Sequence, residues 1–398
     1  MQASVSTREA AQALQTAWSE ELVKCMRREA SAAGFDLAAV AACPAPDEPD
    51  GRLTAERFAN WIAAGNAGEM EYLKRTDAAG DLLRESARRA LPWARSIVVC
   101  AFNYQAEGPY SIDREPRSNE DAGWIARYAW NGREDGEAVD YHHDLMLRLQ
   151  RVEAWLRAQA QCETRCYVDT GPLLERDFAA RAGIGWIGKN TCVLNQDLGS
   201  WVLLGVIVTS LPVAMAVQLA PDRCGTCTRC IDVCPTHALV AQRTMDASLC
   251  IAYLTIEKKG SIAEELRESM GRQVFGCDIC QEVCPWNRKA QVASKPGLRR
   301  RDDLVNPSLE WLASLDRDGF KRLFAGSPLE RTKLPRLQRN VAIAMGNSGQ
   351  AAFVPQLERW HSGADAVLAE AAGWALKQLR GEGVCSASIV RSDAPPSA

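Results

Sequence analysis

Apolar and polar positions follow two different periods along this chain. In DYHHDLMLRLQRVEAWLRAQA (residues 140–160) apolar residues recur every three to four positions, which predicts an amphipathic helix. PLLERDFAARA (172–182) repeats the pattern over a shorter span, with Leu173, Leu174, Phe178 and Ala182 apolar and a proline in the first turn. Apolar runs rich in β-branched residues, ARSIVVCAFNY (94–104) and SWVLLGVIVTS (200–210), predict strands. CYVDTGP (166–172) reads as a short strand ending in a turn, and TCVLN (191–195) as another short strand. This alternation predicts an α/β or α+β sheet domain. Towards the C-terminus, residues 336–360 and 366–379 read as helical pairs with small residues at their contacts, as in HEAT-like repeats. The longest uncharged run, 198–221, is broken by Pro212 and diluted by Gly199, Ser200, Gly205, Thr209, Ser210 and Gln218. It reads as a buried strand followed by a loop, not a membrane span. Arg27-Arg28 lack the apolar segment of an export signal, so a cytoplasmic protein is expected.

The pattern also judges a glycine motif. GIGWIG (183–188) matches the G-x-G-x-x-G of a dinucleotide loop, but that loop needs a strand entering and a helix leaving, whose N-terminus stabilises the pyrophosphate. Here a helix enters and a strand leaves, so the NAD reading is weak. Gly183, Gly188 and Lys189 also fit the Walker spacing, yet Asn190 stands where Ser or Thr would hold magnesium.

Composition narrows the chemistry. The 398 residues carry a net charge of -3, which makes no global case for nucleic acid, so any basic surface must be local. The 15 cysteines are many for a reducing compartment and ask for a metal explanation. Cys224-x2-Cys227-x2-Cys230-x3-Cys234-Pro235 is the bacterial ferredoxin run, whose fourth cysteine reaches to a second cluster. A second set follows as Cys250, then Cys277-x2-Cys280-x3-Cys284-Pro285. By that crossed logic Cys224, Cys227, Cys230 and Cys284 hold one [4Fe-4S] cluster, and Cys234, Cys250, Cys277 and Cys280 the other. Two structural zinc sites are the alternative; zinc accounts for neither the third cysteine nor the prolines. Cysteines 25, 43, 100, 162, 166, 192 and 385 show no such grouping. Such clusters carry single electrons, and more than two hundred residues precede them, where the electrons are expected to be used.

VDTGPLLERDFAARAGIGWIGKNT (168–191), GSWVLLG (199–205), the first cysteine run, CIAYLTIEKKG (250–260) and GCDICQEVCPWN (276–287) together resemble the epoxyqueuosine reductase family, in order from about residue 35 to 379. The resemblance implies a cobalamin-binding catalytic α+β domain over 1–215, a two-cluster ferredoxin-like domain over 216–290, a HEAT-like helical domain contacting tRNA over 291–380, and a disordered tail over 381–398. It implies that two electrons pass through the clusters to cobalamin and remove the epoxide oxygen of epoxyqueuosine at the wobble position of tRNA, giving queuosine. It implies cobalamin without a histidine on cobalt; the D-x-H-x-x-G motif is absent and the chain has four histidines. On the glycine loop, it implies part of the wall of the cobalamin pocket.

Read alone, Asp169 is a turn or helix-capping residue; the resemblance makes it the proton donor. A donor at neutral pH needs a raised pKa, so Asp169 is expected to be desolvated. For cobalamin the resemblance carries over Asn190, Val193, Leu204, Ala252, Tyr253, Lys258 and Asp278, with Tyr141 and His142 on the substrate side. The stretch NGREDGEAV (131–139) before them is longer than the family's usual one. Lys and Arg outnumber acids over 317–339, which beside an RNA-modifying site reads as phosphate contacts, with the modified base flipped into the pocket. The expected partners are tRNA carrying epoxyqueuosine and an external low-potential electron donor, with no membrane and a monomeric chain. Two alternatives stand beside this reading: a corrinoid and iron-sulfur reductive dehalogenase, and a ferredoxin-like electron-transfer subunit.

Overall fold

The computed structural model describes residues 14–113, 121–132, 138–213, 215–294 and 299–381. Residues 133–137 of the long stretch, Cys385 and the tail from 382 lie outside the described residues.

Four strands, β1 (Leu37–Ala42), β2 (Ser96–Asn103), β3 (Thr164–Tyr167) and β4 (Val202–Thr209), form one sheet in the order β1-β2-β4-β3, with every pairing antiparallel. Val99 of β2 stands opposite Ala39 and Val206. All of β2 is buried because helices cover both faces. Val98, Cys100 and Phe102 pack with Met26 of helix Glu20–Ala32 and Leu145 and Leu149 of helix Tyr141–Gln159. Ile97, Val99 and Ala101 pack on the other side with Phe178 and Ala179. A strand covered twice shows no alternation, which is why β2 and β4 read as continuous apolar runs.

The helix expected over 140–160 forms as Tyr141–Gln159, capped by the Asp140 side chain, which accepts from the His142 amide at 3.0 Å. The helix expected over 172–182 starts later, at Glu175, and runs to Arg181. Asp169 takes a left-handed φ of 56° and Gly171 is wedged against Tyr167 and Leu173, so the chain stays in a turn through Leu174 before it can coil. Gly183 (φ 77°) then closes the helix: its N–H donates to the Ala180 carbonyl and that of Ile184 to the Ala179 carbonyl, the Schellman pattern. Past it, Trp186–Ile187 pairs antiparallel with Val193–Leu194, a shorter strand than the five residues expected.

After the cysteine-bearing segment come helices Leu309–Ala313, Arg317–Phe324, Lys333–Ser348, Val354–His361 and Ala366–Leu379. Gly346 lets the third and fifth approach closely, since a Cβ there would meet Ala375 at 2.9 Å. Their core is continuous with Ile251, Leu254, Val274 and Phe275 of the cysteine segment and with Ile125 and Trp130. A parallel pairing of Trp124–Ile125 with Gln273–Phe275 joins the same parts. Arg339, 1% exposed, donates to the carbonyls of Leu254 (2.7 Å), Lys258 (3.0 Å) and Gly260 (2.6 Å). Among the described residues no helix is long and apolar enough to cross a membrane.

Candidate active site

The cysteines of the first set share one cavity, and those of the second are electrostatic neighbours of one another. Cys224, Cys227, Cys230 and Cys284 line one cavity of about 250 Å³ with Lys189, Asn190 and Trp286. The thiols of Cys230 and Cys284 are pushed up, first by burial, then by charge on neighbours within this set. The Cys277 and Cys280 thiols are raised by burial and by neighbours that include Cys250, with Cys234 adding to Cys280. Free thiols in such surroundings hold their protons, so metal binding here must release them. Among the described residues no three Cys, His, Asp or Glu side chains converge on a point where one ion could sit. Thiols around a cube stand farther apart than thiols around a single zinc, and a cavity ringed by four cysteines suits the former.

A second cavity, of about 570 Å³, is lined by Asp169, Glu175, Arg176 and Thr191 together with Leu173, Ile187, Val202 and Leu204. The polar array at its edge starts from Asp169. The Tyr141 hydroxyl donates to Asp169 Oδ2, and His142 Nε2 lies 3.1 Å from the same oxygen. The other imidazole nitrogen meets Asp140 Oδ1 at 2.6 Å. From the C-terminal helical region the Arg331 guanidinium lies against the imidazole, with Nη2 at 2.9 and 2.7 Å from the two ring nitrogens, and 3.9 Å from Asp140 Oδ2.

These contacts decide where protons sit. Burial works to raise the Asp169 carboxyl, but hydrogen bonds from His142 and Tyr141 outweigh it and hold the group below the usual Asp range. The raised carboxyl expected from the sequence is therefore not what forms, although burial does act on the group. Its neighbour Glu175 has that property: burial first, then the charge of Asp169, raise its carboxyl well above the ordinary Glu value. Glu175 Oε1 is buried with no hydrogen-bond partner. Burial lowers the His142 imidazole, yet Asp140 and Asp169 together raise it above its ordinary value. Sequence reading missed Glu175, Asp140 and Arg331 as parts of this array. Glu175 and Asp140 lie at or near the starts of predicted helices and drew no reading of their own, and nothing local ties Arg331 to residues nearly two hundred positions earlier.

The residues carried over as cobalamin contacts divide. Leu204 lines the Asp169 cavity. Asn190 lines the cysteine cavity instead, donating to the Cys280 carbonyl at 3.3 Å and accepting from the Cys192 amide at 3.2 Å. Val193 is buried in the sheet core. The Tyr253 hydroxyl accepts from the Glu69 amide at 2.8 Å, and Lys258 pairs with Glu69. Buried Asp278 accepts from the Arg127 amide at 2.6 Å, and Ala252 lies half-buried in helix Ile251–Ile256. Of the glycine loop, Ile187 and Thr191 line the Asp169 cavity, whereas Gly183 lines a different one beside Phe35 and Gln218. None of the four histidines lines the Asp169 cavity.

Eight thiols in two sets beside a cavity edged by carboxylates and an imidazole define an iron-sulfur redox protein, and residues 223–287 match the family model for a 4Fe-4S double cluster binding domain. Residues 84–170 match the model described as epoxyqueuosine reductase QueG, DUF1730. Over 321 residues the chain is 38% identical to the epoxyqueuosine reductase of Xanthomonas campestris pv. campestris, covering 80% of this chain and 87% of that protein. It is 34% identical over 322 residues to that of Escherichia coli K12, covering 80% of each. A crystal structure of epoxyqueuosine reductase with an epoxyqueuosine-modified tRNA-Tyr stem loop superposes with a TM-score of 0.78 at 28% identity, covering 90% of both chains. The enzyme from Streptococcus thermophilus gives 0.75 at 26% identity, again over 90% of both. The chain belongs to the epoxyqueuosine reductase family.

Proposed function

We infer that this chain reduces epoxyqueuosine to queuosine in the anticodon of tRNA, passing two electrons through two [4Fe-4S] clusters to cobalamin. The observation that carries this reading is the Asp169 array at the edge of a cavity whose wall residue Thr191 leads to Cys192, which hydrogen-bonds Asn190 of the cysteine cavity, itself hydrogen-bonded to the Cys280 carbonyl. Cys224, Cys227, Cys230 and Cys284 would hold one cluster, and Cys234, Cys250, Cys277 and Cys280 the other. Leu204, Val202 and Ile187 offer the apolar wall a corrin ring would need, and with no histidine in the lining the cobalt would carry no imidazole from the protein. Bound cobalamin would supply a strongly reducing metal centre, a chemistry no side chain offers. Residues 1–215 would form the catalytic unit, 216–290 the cluster unit and 291–380 the HEAT-like RNA-contacting unit.

The side chains must manage protons. Removing the epoxide oxygen as water consumes two electrons and two protons and leaves a carbon-carbon double bond. Asp169 lines the cavity, so it would be the atom group that meets the departing oxygen. Its carboxyl is held low, so it would be ionised at neutral pH and would have to draw each proton from a partner. Glu175, with a raised carboxyl, and His142, with a raised imidazole, are the two stores it touches. Tyr141 would fix the orientation of the carboxylate through its hydroxyl. Exposed Arg317, Lys321, Arg322, Arg331 and Lys333 would meet RNA phosphates, whereas buried Arg339, part of the basic run over 317–339, is occupied with backbone carbonyls.

The test is anaerobic reconstitution with iron, sulfide and cobalamin, a chemical reductant, and a tRNA stem loop carrying epoxyqueuosine, followed by nucleoside mass spectrometry. Queuosine should form. Asp169→Ala should slow conversion by about a hundredfold or more with both clusters and the corrinoid still bound. A protein that takes up iron and cobalamin yet leaves the epoxide intact would overturn the reading.

A further inference from the structure

The function inferred above draws electrons from outside the chain, and the following rests on that reading. The cavity ringed by Cys224, Cys227, Cys230 and Cys284 is also lined by Arg223, Arg229 and Lys289, all three exposed. No ion pair engages any of the three among the described residues. Of the acids nearby, Asp222 pairs with Arg243 and Asp113 with Arg288 at 3.6 Å, whereas Asp232 accepts from the Thr228 hydroxyl at 2.7 Å and has no ion pair among the described residues. Three cations against that carboxylate leave the rim of this cavity with net positive charge, although the whole chain is slightly acidic. The Asp169 cavity shares no lining residue with it. Asn190 links the other set to the Asp169 cavity: it donates to the Cys280 carbonyl at 3.3 Å and accepts from the amide of Cys192 at 3.2 Å, and Cys192 follows Thr191 of that cavity wall. An electron entering at the rim thus meets the Cys224 set first, the Cys280 set second and the cavity last.

We propose that Arg223, Arg229 and Lys289 form the docking surface for a small acidic protein that carries single electrons. Each epoxide consumes two electrons, so a one-electron carrier must dock, discharge and leave twice per turnover, each visit oxidising one carrier and reducing one cluster. That duty suits fast, weak, charge-steered encounter and not a large apolar interface. An RNA partner is the competing occupant of a basic rim, but the reacting base must reach Asp169, and this rim borders the other cavity.

The test uses the full chain loaded with clusters under anaerobic conditions and mixed with reduced plant-type ferredoxin in a stopped-flow spectrometer, following cluster bleaching. The second-order rate constant should fall steeply as salt rises, and should drop about tenfold or more in the double variant R223E/R229E. Cluster reduction by methyl viologen radical, itself a cation, should not slow, and the cluster EPR signals and stem-loop affinity should stay unchanged. R223Q/R229Q should show a smaller fall in the same direction, and decides the matter if the charge reversal does not load clusters. A rate indifferent to salt and to both variants would overturn the proposal, as would a variant that loses the stem loop instead. Failure of the parent reading is separate: viologen bypasses the rim, so wild-type protein reduced that way and still inactive on epoxyqueuosine condemns the function and not the docking surface.

Discussion

At the scale of single residues, the imidazole of His142 is the group whose charge the site controls most closely. Two carboxylates favour its proton, and burial and the Arg331 guanidinium oppose it. If it is a proton store for the reaction, single-turnover deoxygenation with a chemical reductant falls as pH rises through its folded pKa, which lies above the ordinary imidazole value. Asp140→Asn removes one of the two carboxylates that raise it, so the basic limb moves to lower pH. Asparagine is an equally good helix cap, so the helix beginning at Tyr141 stays intact and the shift reports the charge alone. A limb that does not move in this variant assigns the titration to another group, Glu175 being the first to examine. The role proposed for Asp169 rests on resemblance, and the low pKa of its carboxyl was not legible in the sequence. A left-handed turn two residues past β3 sets its contacts, and nothing in VDTGP announces which distant partners that turn will meet.

Among the secondary elements, the glycines of 183–188 find their use in backbone geometry. Gly183 ends a helix in the left-handed region, where a Cβ would run into the Gln218 carbonyl, and Gly185 packs as closely on the Leu194 carbonyl in the short hairpin. Gly183→Ala should cost about 2 kcal/mol or more in chemical denaturation, from an unfavourable φ and a clash with backbone that cannot swing aside. A neutral result would mean that the loop can rebuild itself around a side chain. The reversed order of helix and strand was enough, in the sequence, to reject a dinucleotide loop. The helix over 140–160 was legible almost to the residue because its signals are local: an aspartate cap, then apolar positions at helical spacing that all reach the sheet. The late start of the helix at Glu175 was not legible, since Pro172 and two leucines fit a first turn equally well and only the packing of Gly171 against Tyr167 keeps them out of it.

For the molecule as a whole, Arg339 shows how its parts depend on one another. Burial lowers its pKa to about 10, so it remains charged at neutral pH and relies on the carbonyls of Leu254, Lys258 and Gly260. Arg339→Met should destabilise the protein by about 2 kcal/mol, because the buried Leu254 carbonyl and the part-buried Lys258 and Gly260 carbonyls lose their donor at once. It should also lower iron and sulfide per chain, since those carbonyls belong to the stretch just after Cys250; full cluster content at reduced stability would separate the two effects. The double-cluster segment was legible because its cysteines fall within a few residues of one another and carry their own spacing. The shared core was not, since the helical pattern of residues 336–379 says which faces are apolar and not that Ile251, Phe275 and Trp130 will cover them. That shared core carries a consequence for biogenesis. Helices Lys333–Ser348 and Ala366–Leu379 are synthesised after the cysteines they support, and until they arrive the walls behind Cys250 and Cys277 lack that part of their core. Assembly machinery that delivers iron and sulfide must therefore wait for these helices, and a nascent chain stalled before them would offer it no receptive host.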